Sequence, residues 1–217
     1  MLVIFKDRTE AGKKLAVLLK KQKIKQGVVV SLLRGGVVVG AEISKKLKLP
    51  HLALAVAKIP SPYQSELAVG ALCFDFTYLE PHLVKTLKLS RADLRSQIQI
   101  AKNKFNSYLK KFNIKKSIYK LKNITVLLVD DGIATGSTVK AALLFVKSFK
   151  PKKIILAVPV APNDLESIGF NKTIILHLDT SFSSVSQFYK DFPQVSDEEV
   201  EKIFSLSRGP RSGETLL

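Results

Sequence analysis

The stretch VLLVDDGIATGST, Val126 to Thr138, runs from a strand-length apolar segment through two adjacent carboxylates into a loop of very small residues. A buried strand, a tight turn and a helix start fit this pattern, and in an open parallel sheet ligands bind beyond the carboxyl ends of such strands. Gly132, Ala134, Gly136 and Ser137 let backbone N–H groups approach an anion, and the helix that follows adds the positive end of its dipole. A monophosphate suits that loop, with hydroxyl donors from Thr135, Ser137 and Thr138. Asp130 and Asp131 then lie about one sugar length away, where carboxylates accept hydrogen bonds from two ribose hydroxyls. Beside a diphosphate they can also help hold Mg²⁺, directly or through water. The parts together read a 5-phosphorylated ribose. A Walker A loop is excluded, because GIATGST has shorter spacing and no lysine.

Working outward, GVVVSLLRGG (residues 27–36) is β-branched and bounded by glycine, which predicts a doubly buried strand over Val28–Leu33. Helical periods precede it over Phe5–Lys21, with Asp7 or Thr9 as cap, and follow it over Gly36–Leu47. A second strand is expected over Leu52–Ala57, a loop over Lys58–Leu67, and a strand or hairpin over Leu67–Tyr78. Ser90 with Asp93 forms a capping box for a long helix that places Leu94, Ile98, Ala101, Phe105, Tyr108, Leu109 and Phe112 on one stripe. Ile124–Val129 is the strand of the opening motif, and its helix is expected over Ser137–Phe149. Two further strands, Lys153–Val158 and Thr173–Leu178, flank a short helical piece around Asp164–Ile168. RGPRSGETLL, residues 208–217, reads as frayed, and the expected division is one domain over residues 1–205 with a tail over 206–217. Strands alternating with helices predict an α/β fold with a doubly wound parallel sheet.

The 217 residues carry a net charge of +17, so a polyanionic partner must be weighed. Between Lys85 and Lys122 there are twelve Lys or Arg and one acid, Asp93. Only six of the 35 basic residues are Arg, the better tool for reading phosphates, so a solvated face is the simpler account of this window. The single Cys73 excludes a disulfide framework, and its reading is a small buried hydrophobe in a reducing cytoplasm. His51, His82 and His177 show no metal-ligand spacing and are expected to be structural. No apolar run is long enough for a membrane span.

Val126 to Thr138 resembles the phosphoribosyl-diphosphate signature of type I phosphoribosyltransferases. With FKDRTEAGKKLA, RGGVVVG, SELAVGAL and FYKDFPQVSDEEV, the chain is similar to a group of predicted microbial phosphoribosyltransferases of unsettled substrate, from near the first residue to about Ile203. The resemblance implies a doubly wound sheet with a small hood and an inserted basic helix at about 90–112. It implies that Asp130 and Asp131 hold the ribose hydroxyls and that Ala134, Thr135, Gly136, Ser137 and Thr138 bind the 5-phosphate. Leu33, Arg34, Gly35 and Gly36 would form the diphosphate loop, with Lys58 close to the same group. Arg34 and Lys58 are the catalytic candidates. A lid over about 58–70, with Tyr63, Ser65 and Glu66, would close over the reacting centre. Ala134 stands where 6-oxopurine enzymes carry an Asp, which argues against hypoxanthine or guanine as acceptor. Phe182, Phe188 and Tyr189 are the candidates for stacking on an acceptor ring.

The leading expectation is a cytoplasmic, Mg²⁺-dependent phosphoribosyltransferase that acts on phosphoribosyl diphosphate and a small acceptor. A homodimer is expected by resemblance alone. The rival is a phosphoribosyl-diphosphate sensor that binds nucleic acid through the basic helix Arg91–Phe112.

Overall fold

The computed structural model describes residues 3–64, 67–163, 165 and 169–207. A parallel five-stranded sheet is built from β1 (Gly27–Leu32), β2 (His51–Leu54), β6 (Thr125–Val129), β7 (Lys153–Pro162) and β8 (Lys172–Asp179), in the order β2-β1-β6-β7-β8. Alternate residues feed two cores, as a pleat with both faces covered requires. Val28, Val30, Val126, Leu128, Ile154 and Leu156 face one side. Val29, Leu127, Val129, Ile155 and Ala157 face the other, against Leu15 and Leu19 of helix α1 (Arg8–Lys20) and Val39 and Ile43 of helix α2 (Gly35–Leu47). Asp7 caps α1 by accepting from the Glu10 N–H at 2.8 Å.

On the first face sit helix α5 (Ser137–Lys147) and a small antiparallel sheet of β3 (Ala57–Pro60), β4 (Ala68–Cys73) and β5 (Phe76–Leu79). This hood corrects the expected strand Leu52–Ala57. The chain leaves the main sheet after Leu54 and joins a different one at Ala57, with Ala55 and Val56 buried between them. The expected loop 58–67 accordingly begins only after Pro60, where the β3–β4 register shifts. Its base is pinched by the Ser61 N–H donating to the Leu67 carbonyl at 2.7 Å. Tyr63 is 69% exposed, and Ser65 and Glu66 lie outside the described residues. So do most of the piece expected to be helical at Asp164–Ile168 and residues 208–217 of the tail.

The long helix, α4 (Arg91–Lys111), has the capping box read from Ser90 and Asp93, and its Ala101 and Phe105 are buried. Two helices are not anticipated from the sequence: the short α3 (Pro81–Thr86), which starts on its proline, and α6 (Asp197–Ser207). A signal for α6 is nonetheless present. Ser196 precedes Asp197, Glu198 and Glu199, and its Oγ accepts from the Glu199 N–H at 3.2 Å.

His51, at the start of β2, lies between Ser31 Oγ, 2.8 Å from Nε2, and the ring of Phe204 in α6, 4.9 Å between centroids. Burial lowers its pKa to about 4. The unfolded chain therefore takes up a proton near pH 6.5 that the folded one refuses until about pH 4, so His51's contribution is intact above pH 6.5 and is lost as pH falls through that window. Denaturant unfolding should show wild-type stability falling by about 2 kcal/mol more between pH 7 and pH 5 than that of His51→Gln. Parallel pH dependence in the two proteins would refute this.

Candidate active site

The end of β6 and the start of α2 meet at the two carboxylates. Gly35 and Gly36 open α2, and a side chain at either would collide with them. A Cβ on Gly35 would overlap Asp131 Oδ2, and one on Gly36 would lie 2.8 Å from the Val129 carbonyl oxygen and 3.0 Å from Asp130 Oδ1. Gly35 and Gly36 thus have a structural task the sequence did not disclose: they let the turn that carries Asp130 and Asp131 come up against α2.

Asp131 is held from three directions. The Arg8 guanidinium donates Nε–H to Oδ2 at 2.7 Å, with the two side chains only 10% and 16% exposed. The Tyr189 hydroxyl donates to the Asp131 carbonyl at 2.7 Å, and the Asp131 N–H donates to Asp130 Oδ1 at 2.9 Å. Arg8 is fixed in turn by donating Nη1–H to the Pro193 carbonyl at 2.8 Å and by lying 3.6 Å over the Phe192 ring. Burial first, and then the charge of Asp131, push the Asp130 carboxyl well above the ordinary carboxylate range. The Asp131 N–H, Lys58 and Arg8 pull it the other way.

Beyond the acids, Gly136 caps α5 with φ of +79°, a left-handed conformation in which a side chain is strained. Thr135 Oγ1 and Ser137 Oγ are 3.2 Å apart across the turn, Ser137 is buried, and Ala134 and Thr135 are exposed toward solvent. A turn of small residues leading into a helix start is an arrangement that can hold an anion. The turn and the two carboxylates line one cavity of about 660 Å³, together with Leu33, Arg34, Gly35 and Lys58.

A profile of the phosphoribosyl transferase domain matches residues 6–189. The chain belongs to the phosphoribosyl transferase family. It is 34% identical over 201 residues to a Mycobacterium tuberculosis protein whose name gives it provisionally as a phosphoribosyl transferase, covering 91% of this chain and 45% of that protein. The chain therefore spans about half the length of the curated relatives it matches. Among solved structures, TT1426 from Thermus thermophilus superposes with a TM-score of 0.73 at 29% identity, covering 93% of this chain and 97% of that one.

The cavity brings together most residues singled out from the sequence. Arg34 and Lys58 both line it, and the Leu33–Arg34 peptide is cis. Arg34 is already oriented: its Nη1–H donates to Asp197 Oδ1 at 3.0 Å, while the other oxygen of Asp197 pairs with Lys111. These contacts, Lys111 foremost, hold Asp197 below the ordinary carboxylate range.

The proposed acceptor-stacking rings are elsewhere. Phe188 and Tyr189 are 2% and 4% exposed and pack with Phe5 and Val160, and Phe182 lies against Phe188 at 5.3 Å. The reason is a backbone pairing the sequence does not show. The Ile4 and Phe5 N–H groups both donate to the Phe188 carbonyl, and Lys190 N–H donates back to Phe5 O, so the segment is zipped along the N-terminus with its rings turned inward. Among the described residues of this region, Val185 alone reaches the cavity. The unexpected wall is α4, which contributes Ile100, Ala101, Lys104 and Tyr108.

Among the described residues no group of three or more His, Cys, Asp or Glu side chains is placed to hold a metal ion. No helix among them is long and apolar enough to cross a membrane.

Proposed function

We propose that the protein transfers 5-phosphoribose from phosphoribosyl diphosphate to a ring nitrogen of a small acceptor other than a 6-oxopurine. The observation that carries this reading is the pairing of two constrained carboxylates with an anion cradle at the end of β6. In the proposed complex Asp130 and Asp131 accept from the ribose hydroxyls, and the turn Ala134–Thr138 with the α5 N-terminus takes the 5-phosphate. Arg34 and Lys58 face the diphosphate. The acceptor nitrogen lends its electron pair to the anomeric carbon as the carbon–oxygen bond breaks, and that bond's electrons leave on diphosphate. A proton on the nitrogen passes to solvent. The transition state has oxocarbenium character, so the chain's work is positioning, neutralising the leaving group and excluding water.

The donor set fits Mg²⁺ as a partner of the substrate. Asp131 commits one oxygen to Arg8, and Asp130 commits one to the Asp131 N–H. One oxygen of each carboxylate is thereby left that could help hold the ion, directly or through water. Bound there, Mg²⁺ would neutralise the departing diphosphate.

The test is diphosphate release from phosphoribosyl diphosphate with Mg²⁺ across purines, pyrimidines and small amines. Release that depends on one acceptor is expected. Tight binding with no stimulated release would favour a sensor, and absence of binding would overturn the reading altogether.

A further inference from the structure

Resting on that reading, we infer that α4 is the acceptor-binding wall of the pocket and that Lys104 selects an acceptor ring carrying an acidic group. Ile100, Lys104 and Tyr108 are spaced i, i+4, i+8, so they form a single row on the helix, beside the buried pair Ala101 and Phe105 that seats α4 against the hood. The row spans about 12 Å at 1.5 Å per residue. Its direction is set at one end: Lys111, one turn beyond Tyr108, pairs with the Asp197 that holds Arg34. Lys104 therefore stands two turns, about 10 Å along the axis, from the Arg34 end of the pocket.

The remaining polar walls have tasks in the proposed complex. Lys58 is close enough to Asp130 to lower its proton affinity, and Arg34 adjoins the Gly35 that packs on Asp131, so both cations belong with the ribose and its leaving group. What is left is the α4 side of the cavity. Ile100 is half exposed in spite of its size, Tyr108 offers a half-buried ring, and Val56, Pro60 and Val185 add apolar groups to the same cavity. Lys104 is the cation on that side. Small-molecule sites are commonly apolar with a few polar groups that fix orientation, and here the orienting group is positive. The charged window read from the sequence as a solvated face thus contributes one of its lysines to recognition.

The experiment uses matched ring pairs that differ in a carboxylate, nicotinate against nicotinamide and orotate against uracil. Each is titrated calorimetrically into the full chain with Mg²⁺, ribose 5-phosphate and diphosphate filling the rest of the site. The acidic member of at least one pair should bind about tenfold more tightly, and Lys104→Met should erase that gap while leaving the affinity for phosphoribosyl diphosphate within twofold. Equal or better binding of the neutral rings, a gap that survives Lys104→Met, or no binding of either acid at millimolar concentration would each overturn the inference. A variant that loses affinity for phosphoribosyl diphosphate instead would assign Lys104 to the leaving group, which also overturns it. Failure of the transferase reading is seen separately, as wild-type protein that does not bind phosphoribosyl diphosphate at all.

Discussion

Asp130→Asn combined with Asp131→Asn should cost phosphoribosyl diphosphate at least a hundredfold in affinity, read by calorimetric titration with Mg²⁺. Each carboxylate is proposed to accept a ribose hydroxyl, and hydrogen bonds to charged groups contribute about 1.5–3 kcal/mol, so losing two amounts to roughly 3 kcal/mol or more. The fold should survive, because the two changes oppose each other. Asparagine at 130 relieves a carboxylate whose charged form is disfavoured by burial and by Asp131. Asparagine at 131 removes the counter-charge of Arg8 but keeps an amide oxygen to accept its Nε–H, and the Pro193 carbonyl and Phe192 ring still hold the guanidinium. A circular dichroism spectrum matching wild type, with binding lost, is the expected pair of results. Wild-type affinity in the double variant would sink the ribose assignment.

Arg8→Met should be strongly destabilising. Arg8 is 8% exposed and the Asp131 side chain 16%, so removing the guanidinium leaves Asp131 Oδ2 without the cation that neutralises and orients it. Breaking one side of a buried pair costs about 3 kcal/mol or more. The Pro193 carbonyl also loses its donor, and Phe192 loses the cation over its ring. For a chain of this size the thermal midpoint should fall by about 6–12 °C. Affinity for phosphoribosyl diphosphate should fall as well, because Arg8 fixes the orientation of Asp131 without needing to touch the ligand. Arg8→Lys should recover part of the stability, since it restores charge but not the fork that reaches Pro193 and Asp131 together. An Arg8→Met protein within about 0.5 kcal/mol of wild type in denaturant unfolding, the range of an ordinary surface change, would show that the pair has no such role.

These two expectations differ in how they could have been found. Asp130 and Asp131 announce themselves because adjacent acids at the end of a buried strand are chemically odd wherever the chain folds. Arg8 carries no such mark, since it sits among Lys6, Asp7 and Glu10 and reads as one more charge at a helix start. Its significance arises from a partner 123 positions away. The hood shows the same contrast. Leu52 to Ala57 is uniformly strand-like, and local propensity has no means of registering that the chain changes sheets after Leu54. Phe74 turns the hairpin between β4 and β5 with φ of +50°, a position where glycine would be expected. It is tolerated because its ring stacks on Phe145 at 4.5 Å, a contact made only in the folded chain.

By itself, the sequence determined what depends on neighbours along the chain: the buried strands, the cap of α4, and the strand, carboxylates and small-residue turn of Val126–Thr138. Their physics is local, set by side-chain period, backbone freedom and the start of a helix. Tertiary structure alone decided which groups surround those carboxylates. It brought Arg8 and Tyr189 to Asp131, turned Phe188 and Tyr189 into the core, tied Arg34 to Asp197, and laid α4 along the cavity. Each depends on contacts between residues far apart in sequence, and those form only when the burial of both sheet faces fixes where every element lies.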